Sequence, residues 1–304
     1  MHGADRIGRD ATQILTREEF QFTREDVISV VREKVIARNV LPYVKLANWG
    51  KHQYRYHSDV DMSPARVEMS GASPNADIAG ITTPTLDIPT IHKDFVILAR
   101  ELAASKNWGE SLDTRSARMA AEKVAEKEEE MMWAGIALGT DHVTAVTGLI
   151  SGGQSGGTGV DWGHATIATA VAAAKGNMLT SIHALRTDKF YGPYYAVMTK
   201  GAEIALWQTV PDTGGALLRE FAEKLYTLGV FGTDMLYPAV STGAHKMLVG
   251  EPGPSNHGYV IAQDVDTVII DDSWDYEAKV FEALSPVTYR ANSLAYITSI
   301  TEIN

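Results

Sequence analysis

The chain has 304 residues, a length that can bury the core of one large domain or two ordinary domains. Hydrophobic residues make up 45% of it and charged residues 21%, as in a globular protein. No apolar run approaches the roughly 18 residues of a membrane-spanning helix, and the charged N-terminus is unlike a signal peptide, so we expect a soluble, non-secreted protein. The absence of cysteine excludes disulfides, thiolate nucleophiles and sulfur-ligated metals, and the net charge of -11 opposes nonspecific attraction to nucleic acid.

The N-terminal segments alternate between helical and extended patterns. Residues 15–40 place valines at helical spacing, with Thr16 and Thr23 as possible N-caps, and Pro42 ends the pattern. This amphipathic helix is predicted to lie on a larger surface. From 48 to about 90, short alternating runs broken by proline and glycine predict an extended, hairpin-like excursion with few core residues. Such a segment is either mobile or packed on something outside its own domain.

Apolar density returns after this excursion. Residues 85–91 read as a strand, a helix is predicted from about His92 to Ala104, and a longer helix from Asp113 or Thr114 to about Leu138.

The rest of the chain mixes strands and helices. Glycine-rich residues 148–163 predict a flexible loop, and 231–258 predict another. The remaining elements are a helix over 164–177, a strand over 194–199, a helix over 215–229 and strands over 259–304. Because strands and helices cluster separately, the predicted class is α+β.

The acidic run EKEEEMMWAG, residues 126–135, is the first candidate for chemistry. On one helix, small and apolar side chains share a stripe with Glu128, whereas the other glutamates spread over the remaining faces. A helical di-metal site would need Glu-x-x-His pairs, and none is present. We therefore favour a solvated or intersubunit face for the run over a metal site, with basic partners from elsewhere.

Other motifs give no active site. SGGQSGGTG is not followed by Lys-Ser or Lys-Thr, which favours a flexible loop over a phosphate cradle. The histidines form no metal-binding pair, and no Ser-His-Asp set can be nominated. NWGKHQYRYH, residues 48–57, mixes cationic and aromatic side chains that could stack on single-stranded nucleic acid, but in an acidic chain we favour a protein interface. No catalytic, cofactor or metal site is predicted.

The order of these elements resembles the Hong Kong 97-like fold of tailed-phage major capsid proteins and encapsulin shells. Residues 93–135 are similar to the segment in which a long spine helix ends in an acidic run, a large apolar residue and glycine. VTGLIS, residues 146–151, is similar to the family's next turn, and 258–303 to its closing strands, including Gln263 and Asp264. The close resemblance covers about a third of the chain and the element order nearly all of it.

The resemblance implies four parts: an N-terminal arm (1–47), an E-loop (48–92), a P-domain (93–138 and 258–304) and an A-domain (139–257). It also implies A-domains around five-fold and six-fold axes and E-loops lying over neighbouring subunits. The subunit-interface candidates are Trp49, Lys51, Tyr54, Arg55, Tyr56, Arg66, Glu126, Glu129, Glu130 and Tyr237.

The implied function is that of a major capsid protein of a tailed double-stranded DNA virus, with no enzymatic activity and no cofactor. Copies of the chain would assemble in the host cytoplasm into an icosahedral shell of pentamers and hexamers, the capsid of the virion. Scaffold, portal and decoration proteins are possible partners, and the packaged DNA would make no sequence-specific contacts. The alternatives are an encapsulin shell around a cargo enzyme and a soluble hydrolase with an unrecognised site.

Overall fold

A computed structural model describes residues 17–48, 50–60, 67, 80–108, 115–136, 145–158, 162, 167–211, 216–236, 245–271, 275–290 and 292–300. The helices of these ranges are α1 Arg17–Lys34, α2 Ala37–Val40, α3 Ala99–Trp108, α4 Arg115–Trp133, α5 Ile167–Thr187, α6 Lys200–Ala205 and α7 Leu218–Leu225. The strands are β1 Tyr43–Lys45, β2 Gln53–Arg55, β3 Ser58–Val60, β4 Gly80–Thr82, β5 Thr85–Asp87, β6 Thr90–Ile97, β7 Gly135–Ile136, β8 Val146–Thr147, β9 Gln154–Thr158, β10 Tyr195–Thr199, β11 Val230–Thr233, β12 His245–Gly250, β13 His257–Asp271, β14 Tyr276–Thr288 and β15 Leu294–Ile300.

One sheet has four strands in the order β1-β13-β14-β6. The pair β1–β13 is parallel, and the long strands β13, β14 and β6 are antiparallel neighbours. The arm, which is our name for α1 with α2, and the long helix α4 cover one face. The buried stripe of α4 carries small residues, so the helix approaches the arm and the sheet closely.

The second sheet has five strands in the order β11-β10-β12-β15-β9. Its strand β10 is buried along its whole length, as its apolar sequence Tyr-Ala-Val-Met requires. Helices α5, α6 and α7 pack around this sheet. Two short antiparallel pairs, β2–β5 and β3–β4, form a narrow hairpin that leaves the main body.

The structure confirms the α+β class, the helical arm, the hairpin, the long helix and the strand at 195–199. The valines of α1 are buried against α4, as their spacing predicts. The tip of the hairpin lies mostly outside the described residues.

Three sequence predictions of local structure are wrong because strand partners lie far away in the sequence. Residues 92–97 belong to β6 and not to a helix, since the whole of β6 pairs with β14. The two predicted loops contain β9, β11 and β12, which are held by β15 and β10. The strands predicted for the closing segment are present as β13, β14 and β15, of which β13 and β14 lie in the four-stranded sheet and β15 in the five-stranded sheet.

A glycine pair fixes the end of the long helix. Gly135 follows α4 with a positive φ of 81°, and a Cβ at Gly148 would lie 2.2 Å from its backbone nitrogen. Only glycine fits such an approach, because any side chain would overlap the facing backbone. Two motifs that stand apart in the sequence, the WAG after the acidic run and the VTG before LIS, therefore meet in one contact.

Candidate assembly surfaces and the arm–helix junction

The base of the hairpin packs on its own chain. Tyr54 and Tyr56 stack with ring centroids 6.1 Å apart, and Tyr56 meets Tyr289 edge-on at 5.3 Å. These rings cover the apolar face of the four-stranded sheet opposite α4. Arg55, between the two tyrosines in the sequence, and Lys51, which precedes them, are both exposed. The aromatic residues thus anchor the hairpin, and the cations are the groups left to face other molecules.

Two apolar side chains of the hairpin project into solvent. Val67 is fully exposed and Ile81 is 64% exposed. The strand β4 around Ile81 is exposed at each position. The hairpin therefore presents apolar surface that the described residues of this chain leave uncovered. The predicted interface residues Trp49, Arg66 and Tyr237 lie outside the described residues.

Two glutamates of the acidic run are paired within their own helix. Lys123 donates to Glu126 at 2.7 Å, and Lys127 donates to Glu130 at 2.8 Å. Both pairs are at i,i+3 on the outer face of α4. The basic partners expected from elsewhere are thus supplied locally, and both carboxylates remain partly exposed.

Glu129 is buried, so the expectation that it faces solvent or a neighbouring subunit is wrong for this residue. Its carboxyl group accepts a hydrogen bond from the Trp133 indole at 2.5 Å and one from the Ala37 backbone N–H at 3.2 Å. Burial raises the pKa of Glu129 to about 7, against the lowering effect of these two donors. The residue joins the arm to α4 from within.

Glu128 also lies inside the molecule, in a cluster centred on Arg38. The Arg38 guanidinium contacts Glu128 through Nε at 2.8 Å, Asp264 through Nη1 at 2.6 Å and Glu282 through Nη2 at 2.6 Å. The side chains of Glu128 and Glu282 are fully buried, whereas that of Asp264 is 41% exposed. The cluster, called the Arg38 cluster below, ties α2 to α4, β13 and β14.

Protonation within the Arg38 cluster follows burial. Burial raises the pKa of Glu128 and, together with Glu128, raises that of Glu282 well above the ordinary range. Burial also opposes the charge of Arg38, but the three carboxyl groups raise its pKa overall. Although burial acts in the opposite direction, the hydrogen bond from Arg38 lowers the pKa of Asp264. One member, Asp264, is thus held ionised, while the two buried glutamates resist ionisation.

Arg38 and Glu282, which are 244 residues apart, were not identified from the sequence as members of a cluster with Glu128. The available signal was Glu128, a carboxylate on the small and apolar stripe of α4. An ionisable residue at such a position needs a partner from a facing element.

A groove opens beside the Arg38 cluster. Its volume is about 270 Å³, and it lies between the arm and strands β1 and β13. Arg38 and Asp264 form part of its wall, together with Arg32, Lys45 and Tyr43. The ring of Tyr43 is largely exposed there. The groove is thus a polar concavity through which solvent reaches the edge of the cluster.

A second buried polar network joins the two sheets. The His257 ring contacts the Tyr195 hydroxyl through Nε2 at 2.8 Å and the Ser293 hydroxyl through Nδ1 at 3.1 Å. All three side chains are buried, so the network has no access to a substrate. Burial lowers the pKa of His257 to about 3, which keeps the ring neutral.

Within the described ranges, no three histidine or acidic side chains are placed to hold a metal ion. In the same part of the chain, no helix combines the length and apolarity needed to cross a membrane.

Comparison with known proteins gives a consistent result. The model of a family described as Linocin M18, encapsulating protein for peroxidase, matches residues 15–250. The type 1 encapsulin shell protein EncA of Myxococcus xanthus is 26% identical over 238 residues, which are 77% of this chain and 79% of that protein.

Solved structures show the same fold at low identity. A virus-like particle protein from Pyrococcus furiosus superposes with a TM-score of 0.66 and 16% identity, over 92% of this chain and 99% of the other. The capsid protein of Myoviridae phage XM1 gives a TM-score of 0.67 and 11% identity, over 99% of each chain. These likenesses confirm the Hong Kong 97-like fold that the order of sequence elements indicates.

Proposed function

The chain belongs to the family of encapsulating proteins for peroxidase, and we propose that the shell it forms is the capsid of a tailed virus that encloses double-stranded DNA. As a member of that family, the chain is a shell-forming structural protein and not an enzyme. The observation that carries the viral proposal is the end-to-end correspondence with the phage XM1 capsid protein. By sequence, the family match covers residues 15–250 and the EncA match covers 77% of this chain.

Charge supports the same proposal. The chain carries 38 acidic and 27 basic residues. A wall with this balance does not adsorb the DNA that must move past it during filling and ejection. An encapsulated genome would accordingly be confined by the shell and not bound by it.

The proposed assembly mechanism uses the hairpin as an E-loop that lies over a neighbouring subunit. Val67 and Ile81 supply its uncovered apolar side chains, and Lys51 and Arg55 supply cations at its base. The outer carboxylates of α4, such as Glu126, complement these cations in charge. Repeated around closed symmetry, such contacts add up to a stable shell even when each is weak.

Deleting residues 66–80 tests the E-loop proposal. The described body of each subunit keeps its two sheets and their core, so we expect the variant to fold and to fail in assembly. Circular dichroism measures folding, and sedimentation measures assembly. A variant that assembles normally, or one that does not fold, would contradict this role of the segment.

Nucleic acid content tests the viral proposal. Particles purified from the native source are treated with nuclease, and the protected nucleic acid is extracted and sized. The proposal predicts long double-stranded DNA inside the shell. Shells that contain a protein cargo and no protected DNA would contradict it.

The second candidate is an encapsulin-type compartment around a cargo enzyme. The observation in its favour is the similarity to EncA and to the encapsulating family. It predicts that shells from the native source contain a second protein in a fixed ratio, which mass spectrometry of nuclease-treated particles measures. A shell that holds DNA and no such protein would exclude this candidate.

A further inference from the structure

The Arg38 cluster holds more acid than base. Its single guanidinium contacts three carboxyl groups at 2.6 to 2.8 Å. With every group ionised, one positive charge would face three negative charges, two of which lie on fully buried side chains. A buried carboxylate that lacks a full counter-charge is strongly disfavoured. The cluster therefore has the composition of a site that retains a proton.

Two carboxyl oxygen atoms of the Arg38 cluster are available to carry a proton. Among the described residues, no N–H or O–H group donates to Glu128 Oε2 or Glu282 Oε1, and both atoms are buried. The two carboxyl groups are held on the same guanidinium, Glu128 at Nε and Glu282 at Nη2. Two carboxyl groups so placed can hydrogen-bond to each other only when one of them carries a proton, since an ionised carboxylate has no donor.

We propose that Glu128 and Glu282 share one proton, and that this proton acts as a latch that holds the N-terminal arm on α4 and the four-stranded sheet. Arg38 belongs to the arm, whereas its three acidic partners belong to α4, β13 and β14. Lifting the arm removes the guanidinium and admits water to both glutamates. Glutamates in water are ionised at neutral pH, so opening the arm releases the shared proton.

The closed arm protects this proton. Glu128 and Glu282 have no solvent-accessible side-chain surface, and the Arg38 side chain is only 11% exposed. Solvent meets the cluster at Asp264, on the wall of the groove. Proton release is thus coupled to opening of the arm and not to simple titration of a surface group.

Other ionisable groups around the pair set the useful pH range. Asp264 on β13 is held ionised by Arg38, and Arg32 of α1 faces it. Burial raises the pKa of Glu129 on α4 to about 7 and that of Tyr259 on β13 to about 12. Between about pH 8 and 10, the shared proton is the one whose release distinguishes the open arm from the closed arm.

Hydrogen exchange measures the opening directly. Amide exchange of residues 35–40 is followed by mass spectrometry on the assembled protein from about pH 8 upward, and each rate is divided by that of the unstructured peptide at the same pH. If opening releases one proton, the open fraction rises about tenfold per pH unit until the closed cluster itself loses the proton.

Glu282→Gln separates the latch from a merely structural role. Its amide has the shape of a protonated carboxyl group, donates to Glu128 and does not titrate. We expect the variant arm to stay closed at high pH, with an open fraction independent of pH. Glu277→Gln, at an exposed position of the same strand, should keep the tenfold dependence. Glu128→Gln should abolish it as Glu282→Gln does, which provides a second variant if one fails to fold.

Infrared spectroscopy detects the proton itself. At about pH 8, above the pKa of Glu129, the wild-type protein should show the carbonyl stretch of one protonated carboxyl group, and Glu282→Gln should lack it. A wild-type open fraction independent of pH, an unchanged pH dependence in both Gln variants, or the absence of the protonated carboxyl band would overturn the proposal.

Discussion

The buried histidine between the two sheets gives a quantitative prediction for acid stability. His257 is neutral in the folded chain because it is enclosed and because its partners among the described residues are hydroxyl groups and not acidic groups. Its pKa is about 3, whereas the ordinary value is 6.5. The unfolded chain therefore binds a proton below pH 6.5 that the folded chain refuses until about pH 3.

The sign and size follow from this difference. A proton bound only by the unfolded chain lowers the free energy of unfolding by about 1.4 kcal/mol for each unit by which the pH falls. Between neutral pH and pH 5, His257 thus removes about 2 kcal/mol of stability. Glu129 acts in the opposite direction, since its folded-state pKa of about 7 lies above the ordinary 4.5, and it stabilises the fold as pH falls from 7. The wild-type curve is therefore flattened, and a variant is needed to isolate the histidine.

His257→Gln keeps groups that hydrogen-bond to both hydroxyls and cannot take up the proton. Urea unfolding of unassembled subunits, followed by tryptophan fluorescence at about pH 7.5 and pH 5, measures the effect. Relative to wild type, the variant should gain about 2 kcal/mol on going to the lower pH. His92→Gln, at an exposed position, should show the wild-type dependence. An unchanged pH dependence in His257→Gln would refute the assignment of the buried neutral ring.

Three core contacts, at Gly148, Arg38 and Glu129, are tested by further substitutions. Gly148→Ala places a Cβ 2.2 Å from the facing backbone and should lower the free energy of unfolding by more than about 3 kcal/mol. Gly176→Ala, in open space on α5, should raise it by about 1 kcal/mol. Urea unfolding measures both changes. Arg38→Leu should cost about 3–5 kcal/mol because it leaves buried carboxyl groups unpaired, and Arg24→Leu, from a half-exposed ion pair, less than about 1 kcal/mol. Glu129→Lys should prevent folding, as judged by circular dichroism, because it buries a cation against two N–H donors; a folded Glu129→Lys subunit would contradict its place in the core.

The parts of the fold that were predictable from sequence are those with local periodicity. The stripe of α4 and the valines of α1 repeat at helical spacing, and the structure buries them. The run at 92–97 carries no such local signature, since its strand conformation comes from pairing with β14, almost 190 positions away along the chain. The same cause hid β9 and β12 inside segments whose glycines indicated loops.

The carboxylates show the same limit. Spacing alone correctly placed Glu128 on the packed stripe, and it could not identify Arg38 as its partner. Glu129 lies one position around the helix, where only the approach of the arm decides between solvent and core. In the structure, the Ala37 N–H and the Trp133 indole donate to the Glu129 carboxyl group, which lies in the core. The acidic run therefore has two parts: Glu126 and Glu130 lie on the outer surface, and Glu128 and Glu129 lie inside the molecule.

Electron microscopy of the purified chain shows directly whether the chain forms shells. A shell-forming role predicts closed, uniform shells built from many copies of the 33.0 kDa subunit. It also predicts that deleting 66–80 leaves folded subunits without shells. A wild-type chain that remains a stable 33.0 kDa monomer under all assembly conditions would contradict it.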